Sequence, residues 1–281
     1  MSYSTGPLAS LSLTHVYYDP DDPVSYLCAF LALVPHALCV VYATLIWSTR
    51  EAEVALMFAG QLACEAVNFA LKRLIKEERP PLIHQTGKGY GMPSSHAQFA
   101  SFWAVATALF LLVRHRPRSA ASGGVGRRSE GGSRRTAGPR AAERGGNGAA
   151  AAGARTGTLW EQLGAADIEA YAHRPWSVAE RAAASACALL LAAMVAWSRV
   201  YLNYHTVKQV LVGSLAGVLS AVAWFGVTDL ARRWGLLLWA IDQPVARWFR
   251  IRDLIVDEDL CQAGWEKWET ERLALRQAKD K

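Results

Sequence analysis

The sequence predicts an all-α fold: a polytopic bundle of transmembrane helices, about five spans plus a short interfacial segment, with a disordered cytosolic insert. Three observations carry that expectation. Apolar runs of membrane length recur through a chain that is 52% hydrophobic with a mean hydropathy of +0.10. Charge is concentrated: between Arg114 and Arg181, twelve Arg and six acidic residues account for the whole net charge of +6. Short motifs rich in Lys, Arg, Ser and His fall at the mouths of the apolar runs.

A bilayer core of about 30 Å needs roughly 20 apolar residues per helix. Residues 24–47 meet that requirement, and 54–75 form a second run despite Glu65 and Asn68. Residues 97–113 are slightly short but extend through a polar first turn, and 182–197 and 207–231 complete the five. The run at 234–241 is too short to span and reads as interfacial, with Trp234, Trp239 and Trp248 as anchors. The first run does not read as a signal peptide, because about twenty polar residues precede it without a basic leader.

Residues 116–157 are Gly, Ala, Ser and Arg with almost no large apolar side chain, so they cannot bury a core. A solvated linker is the expected reading, with an Arg-rich lure for anionic lipid or protein as the alternative. The chain thus divides into 1–115 with three spans, the insert, 158–250 with the remaining spans and interfacial segment, and a charged cytosolic tail at 251–281. The balanced charge outside the insert, with no basic stripe or finger spacing, argues against nucleic acid as a partner. Five scattered Cys indicate neither a disulfide framework nor a zinc site.

The first 49 residues hold no Lys or Arg, whereas the third-to-fourth connection holds the twelve Arg. The positive-inside rule then places the N-terminus outside the cytosol, and the insert and C-terminus within it. The second-to-third loop breaks the rule: on the non-cytosolic side it carries Lys72, Arg73, Lys76, Arg79 and Lys88. A basic cluster there calls for an anionic partner.

That loop reads KRLIKEERPPLIHQTGKGYGMPSSHAQF. Pro80 and Pro81 are expected to stop the second helix, since proline lacks an N–H and disfavours helix before it. Pro93-Ser94-Ser95-His96 then opens the third, where unpaired N–H groups and a positive dipole end suit phosphate. Ser94 can cap that helix, or its hydroxyl can donate to an anion. Two spans separate this loop from SRVYLNYHTVKQV at 198–210, so both emerge on one side. Lys72, Arg79 and Arg199, a hydroxyl with helix-start amides, and His96 and His205 can then converge. That set provides charge stabilisation, a nucleophile and a proton donor for a phosphoryl group. No metal-ligand spacing accompanies it, so the cations are expected to be side chains and no cofactor is called for.

K-x6-R-P at 72–80, P-S-x-H at 93–96 and S-R-x5-H at 198–205 together resemble the signatures of the type 2 phosphatidic acid phosphatase superfamily, membrane histidine phosphatases related to vanadium haloperoxidases. LTHVYY, YGMPSSHAQF, SRVYLNYHT, QVLVGSLAG and FRIRD resemble the branch that hydrolyses dolichyl diphosphate, from about Leu13 to the C-terminus excepting the insert. The resemblance implies a multi-pass protein of the endoplasmic reticulum membrane with a lumenal active site, recycling the carrier lipid for N-glycosylation without a metal. It implies His205 as nucleophile on the terminal phosphorus and His96 as the acid that protonates departing dolichyl phosphate. It also implies Lys72, Arg79, Ser94, the Ser95 amide and Arg199 as phosphate-binding groups. A phosphatase for phosphatidate or a sphingoid phosphate is the alternative, and a silent lipid-binding scaffold a third reading.

Two positions depart from the superfamily pattern. Ser95 stands where Gly is usual, and Gln209 stands where an Asp generally follows the nucleophile by four residues. Residues i and i+4 share a helix face, so Gln209 can orient His205 but supplies no countercharge; packing against a neighbouring helix is the alternative. Losing such a carboxylate costs on the order of 10² to 10⁴ in rate by analogy with the serine-protease triad. Among the remaining candidates, His36 after Pro35 reads as a kink with local bonding, and His84, His115 and His173 as loop residues. Glu65 and Asn68 must face protein or water, with structural pairing the first reading and contact with Lys72 or substrate the second. Gly213 and Gly217 read as a close helix contact, and Glu77 and Glu78 as partners of Lys76, with tuning of the basic cluster the alternative.

Overall fold

The structure, a computed structural model, describes residues 9–11, 16–80, 90–116 and 176–279. The expected insert lies outside the described residues from 117 onward, as do His84 and His173. The described residues fall into two compact units, one running to residue 260 and the other beginning at 261.

The first unit is built from helices α1 (Pro23–Leu31), α2 (Val34–Thr49), α3 (Ala52–Ile75), α4 (Ser95–Leu109), α5 (Val178–Tyr201) and α6 (Val207–Arg233). Short helices α7 (Leu236–Asp242) and α8 (Pro244–Trp248) follow. Five stretches are long and apolar enough to cross a membrane: Pro23–Thr49, Ala52–Ile75, Ser95–Arg114, Val178–Tyr201 and Val207–Arg233. These are the expected spans. Asp22 caps α1 through Val24 N, with Pro23 in the first turn. The first span breaks between α1 and α2 because Pro35 has no N–H for the turn before it. α4 runs into a π-helical turn, Phe110–Arg114.

Two features were not expected. Strands β1 (Ala9–Leu11) and β2 (Val16–Tyr18) form an antiparallel hairpin, and Val16 packs with Cys28, Ala29, Ala32 and Leu202. In addition, α3 stops at Ile75, with Lys76 left-handed at φ 53°. The helix therefore ends five residues before Pro80, so the prolines are not its terminator.

α4 is the central helix, packed mainly on α6 and α5. Its inward face is small or flat (Ala97, Ala100, Ala104, Phe102), which lets neighbours approach. A Cβ at Gly213 would meet the Ser94 carbonyl at 2.6 Å, and one at Gly217 the Gln98 carbonyl at 2.3 Å, so the two glycines set the α4–α6 separation. Polar atoms in this layer pair, apart from Gln61 Oε1: Asn68 Nδ2 donates to Gln98 Oε1 (2.7 Å) and Gln98 Nε2 to the Cys64 carbonyl (2.9 Å). Hydrocarbon has no water to satisfy them otherwise.

The end of the bundle remote from Ser94 is closed by charge. Buried Glu53 accepts from Arg114 (2.6 Å) and Arg232 (2.6 Å), and Arg232 also pairs with Asp253. Glu51 accepts from Arg252 Nε (2.8 Å) and from the amides of Leu254 and Ile255. His115 Nδ1 meets the Ile255 carbonyl at 2.7 Å, so this His is a buried tie. FRIRD and the residues after it thus form a clasp across α3, the π turn and α6. In the second unit, the described element is α9 (Leu260–Lys279), a charged helix with exposed Trp265, Trp268, Leu273 and Leu275.

Candidate active site

Four segments meet at the Ser94 end: residues 76–80 after α3, the start of α4, the end of α5, and the turn 202–206 into α6. Backbone bonds hold them together. Gly91 N donates to the Glu77 carbonyl (2.7 Å), and Ser94 N to the Gln209 carbonyl (3.2 Å). Tyr204 N and His205 N both donate to the Arg199 carbonyl, at 3.0 and 3.2 Å, with Asn203 left-handed at φ 56° in the turn between. The β1–β2 hairpin reaches the same turn, as Tyr17 N donates to Tyr204 Oη at 2.8 Å. LTHVYY therefore ends on a strand laid against the site.

Gln209 occupies the third position of α6. Its amide oxygen accepts from Thr206 N (3.2 Å) while its own N–H donates to Thr206 Oγ1 (3.3 Å), a capping box. The same oxygen lies 3.2 Å from His205 Nδ1. Gln209 Nε2 faces two acceptors, Glu77 Oε1 at 3.1 Å and the Glu78 carbonyl at 2.8 Å. Neither can donate at neutral pH, so the amide has one orientation, its oxygen toward the imidazole. His205 Nδ1 is then the protonated nitrogen and Nε2 carries the lone pair. Burial, with Arg79 and Lys72 adding positive charge, holds His205 down at about 4, against the bonds to Gln209 and the Gly91 carbonyl. The ring is neutral at pH 7. Gln209 thus lies within hydrogen-bond reach of His205, as their shared helix face predicts; Glu77 bonds to Lys208 (2.9 Å) and Gln209 in place of the expected pairing with Lys76.

His96 sits in the first turn of α4. Its ring bonds the Ala32 carbonyl, at the α1–α2 break, and lies within electrostatic reach of Arg199 and His205. His36 is 6.3 Å from it, ring to ring. The break is the expected kink, but it aims His36 at the site.

Arg199 is 2% exposed, donates to Ser198 Oγ and the Cys28 carbonyl (both 3.4 Å), and stacks over Tyr204. Lys72 lies within electrostatic reach of Arg79 and Glu65. Among the described residues, none of Lys72, Arg79 and Arg199 is in an ion pair with a carboxylate. Ser94 is fully buried at the N-cap of α4, yet its side chain makes no cap bond. Ser94 Oγ and Arg79 Nε are buried with no hydrogen-bond partner among the described residues. Ser95 begins the helix, where its N–H has no intrahelical acceptor. Donors without a partner and cations without a carboxylate, among the described residues, are an arrangement that can hold an oxyanion.

Histidines, cations and helix-start donors gathered at one end of a membrane-length bundle define the class. Residues 51–233 match the PAP2 superfamily, and the chain belongs to it. It is 61% identical to a Neurospora crassa protein provisionally named dolichyldiphosphatase, over 100% of this chain and 99% of that one. It is 32% identical to human dolichyldiphosphatase 1, over 86% and 81% of the two chains. Identity with the dolichyldiphosphatase of Saccharomyces cerevisiae is 26%, over 85% and 79%. No solved structure matches the chain.

Proposed function

We propose that this protein hydrolyses dolichyl diphosphate to dolichyl phosphate and phosphate, without a metal, through a phosphohistidine. The observation that carries the proposal is the neutral His205, its Nδ1 held by Gln209, beside Lys72, Arg79 and Arg199 and the Ser94 hydroxyl that has no partner among the described residues. The names of the relatives support the substrate.

His205 Nε2 attacks the terminal phosphorus, and the bond from phosphorus to the bridging oxygen breaks. His96, protonated once the anionic substrate is bound, gives that proton to the bridging oxygen, and dolichyl phosphate leaves. His96 then takes a proton from water, whose oxygen attacks the phosphorus and releases phosphate from His205. Lys72, Arg79, Arg199, Ser94 Oγ and the Ser95 N–H hold the phosphoryl oxygens, where charge grows in the transition state. Gln209 keeps the proton on Nδ1. The site faces the lumen of the endoplasmic reticulum, where the product re-enters the carrier cycle of N-glycosylation; the Arg-poor N-terminal segment and the Arg-rich 114–181 segment support that orientation.

The test is phosphate release by purified protein from dolichyl diphosphate and from phosphatidate, in excess EDTA. Turnover of the diphosphate with higher kcat/KM is expected, and His205→Ala is expected to abolish it. Strict Mg²⁺ dependence or a near-normal rate in His205→Ala refutes the mechanism. Preference for phosphatidate moves the substrate to the other lipid phosphates, since the binding groups grip phosphoryl oxygens and not the chain.

A further inference from the structure

We propose that Glu77 is a positioning residue for His205, supplying through the Gln209 amide the countercharge that no carboxylate supplies directly. The inference rests on His205 being the nucleophile. A continuous path of hydrogen bonds carries it: His205 Nδ1 to Gln209 Oε1 (3.2 Å), then Gln209 Nε2 to Glu77 Oε1 (3.1 Å). A carboxylate accepting from an amide N–H polarises that amide and makes its oxygen a stronger acceptor. Phosphorylation of Nε2 leaves the ring cationic with its proton on Nδ1. The path stabilises that cation and leaves the proton on the ring, because the amide between does not take it up.

The backbone is arranged to bring Glu77 there. α3 ends at Ile75, Lys76 turns left-handed, and the Glu77 carbonyl is fixed by Gly91 N. Gly91 is required by the close approach: a Cβ would lie 2.8 Å from Gln209 Nε2 and 2.9 Å from its Oε1. Glu77 Oε2 also meets the exposed Lys208 at the surface, a contact the path does not need. Its hydrogen bonds to Lys208 and Gln209 lower the Glu77 pKa, which keeps it charged at neutral pH. Its side chain is 30% exposed, so solvent screening limits the effect.

The experiment is a double-mutant cycle on full-length protein with dolichyl diphosphate, reading kcat and KM separately. Glu77→Gln is expected to lower kcat about tenfold with KM changed less than about twofold, the size of one charge-assisted hydrogen bond. In a Gln209→Ala background the same change is expected to have less than about twofold effect, because the path is already cut. Lys208→Ala removes the ion pair but not the Glu77 charge, and kcat is expected to stay within about twofold. Should Gln209→Ala not fold, Gln209→Met replaces it. Unchanged kcat in Glu77→Gln, multiplying effects in the double variant, or a Lys208→Ala defect equal to that of Glu77→Gln overturns the proposal. An alkaline quench with substrate labelled in the terminal phosphate separates the two readings. Label absent from His205 removes the nucleophile and the proposal together. Label on His205 with Glu77→Gln at full rate removes the relay alone.

Discussion

The two ends of the bundle both bury arginine, and they treat it differently. At the clasp, Arg114 and Arg232 share Glu53, and Arg232 also holds Asp253. At the site, Arg79 and Arg199 meet no carboxylate among the described residues, and two buried donors beside them lack partners. Even the clasp has one orphan atom, Arg232 Nε, but its charges are neutralised. The contrast is one of charge: the carboxylates at the clasp neutralise its arginines, and the arginines at the site are left for the anion that the proposed function supplies.

Cutting the clasp is the strongest way to break that contrast. Glu53→Ala leaves Arg114 without its buried carboxylate and should destabilise the protein by about 3–5 kcal/mol, read by thermal unfolding in detergent. Activity per folded molecule should change by less than about twofold. Next is pH. The folded His205 value of about 4 lies below the ordinary 6.5, so between them the unfolded chain binds the extra proton and stability falls as pH falls. The wild type should lose on the order of 3 kcal/mol more than His205→Gln between pH 7 and pH 4. Arg199→Lys keeps the charge and loses the planar fork, and kcat/KM should fall about 10²-fold. The smallest effect sharpens the contrast most. Ser94→Ala removes a hydroxyl that has no partner among the described residues, so stability should shift by less than about 0.5 kcal/mol while kcat/KM falls roughly tenfold.

The spans were legible because length and apolarity are local quantities, and the histidines and cations because their spacing is a sequence property. The T-x-x-Q capping box at 206–209 was equally legible, and would have explained why an amide longer than Asp suits Gln209. What stayed hidden depends on distant chain segments meeting. Glu77 finds Gln209 and Lys208 more than 130 residues away, which no local pattern records. The early end of α3, the strand laid on Tyr204 and the Glu51–Arg252 tie are of the same kind.

One detail of the turn before α6 gives the third motif a mechanical meaning. The Arg199 carbonyl accepts the amides of Tyr204 and His205, so the arginine proposed to grip the anion also closes the loop that carries the imidazole. The interval S-R-x5-H is then a circumference. Inserting or deleting one residue between 199 and 205 would leave every side chain present and the loop out of phase, with His205 rotated away from the phosphorus.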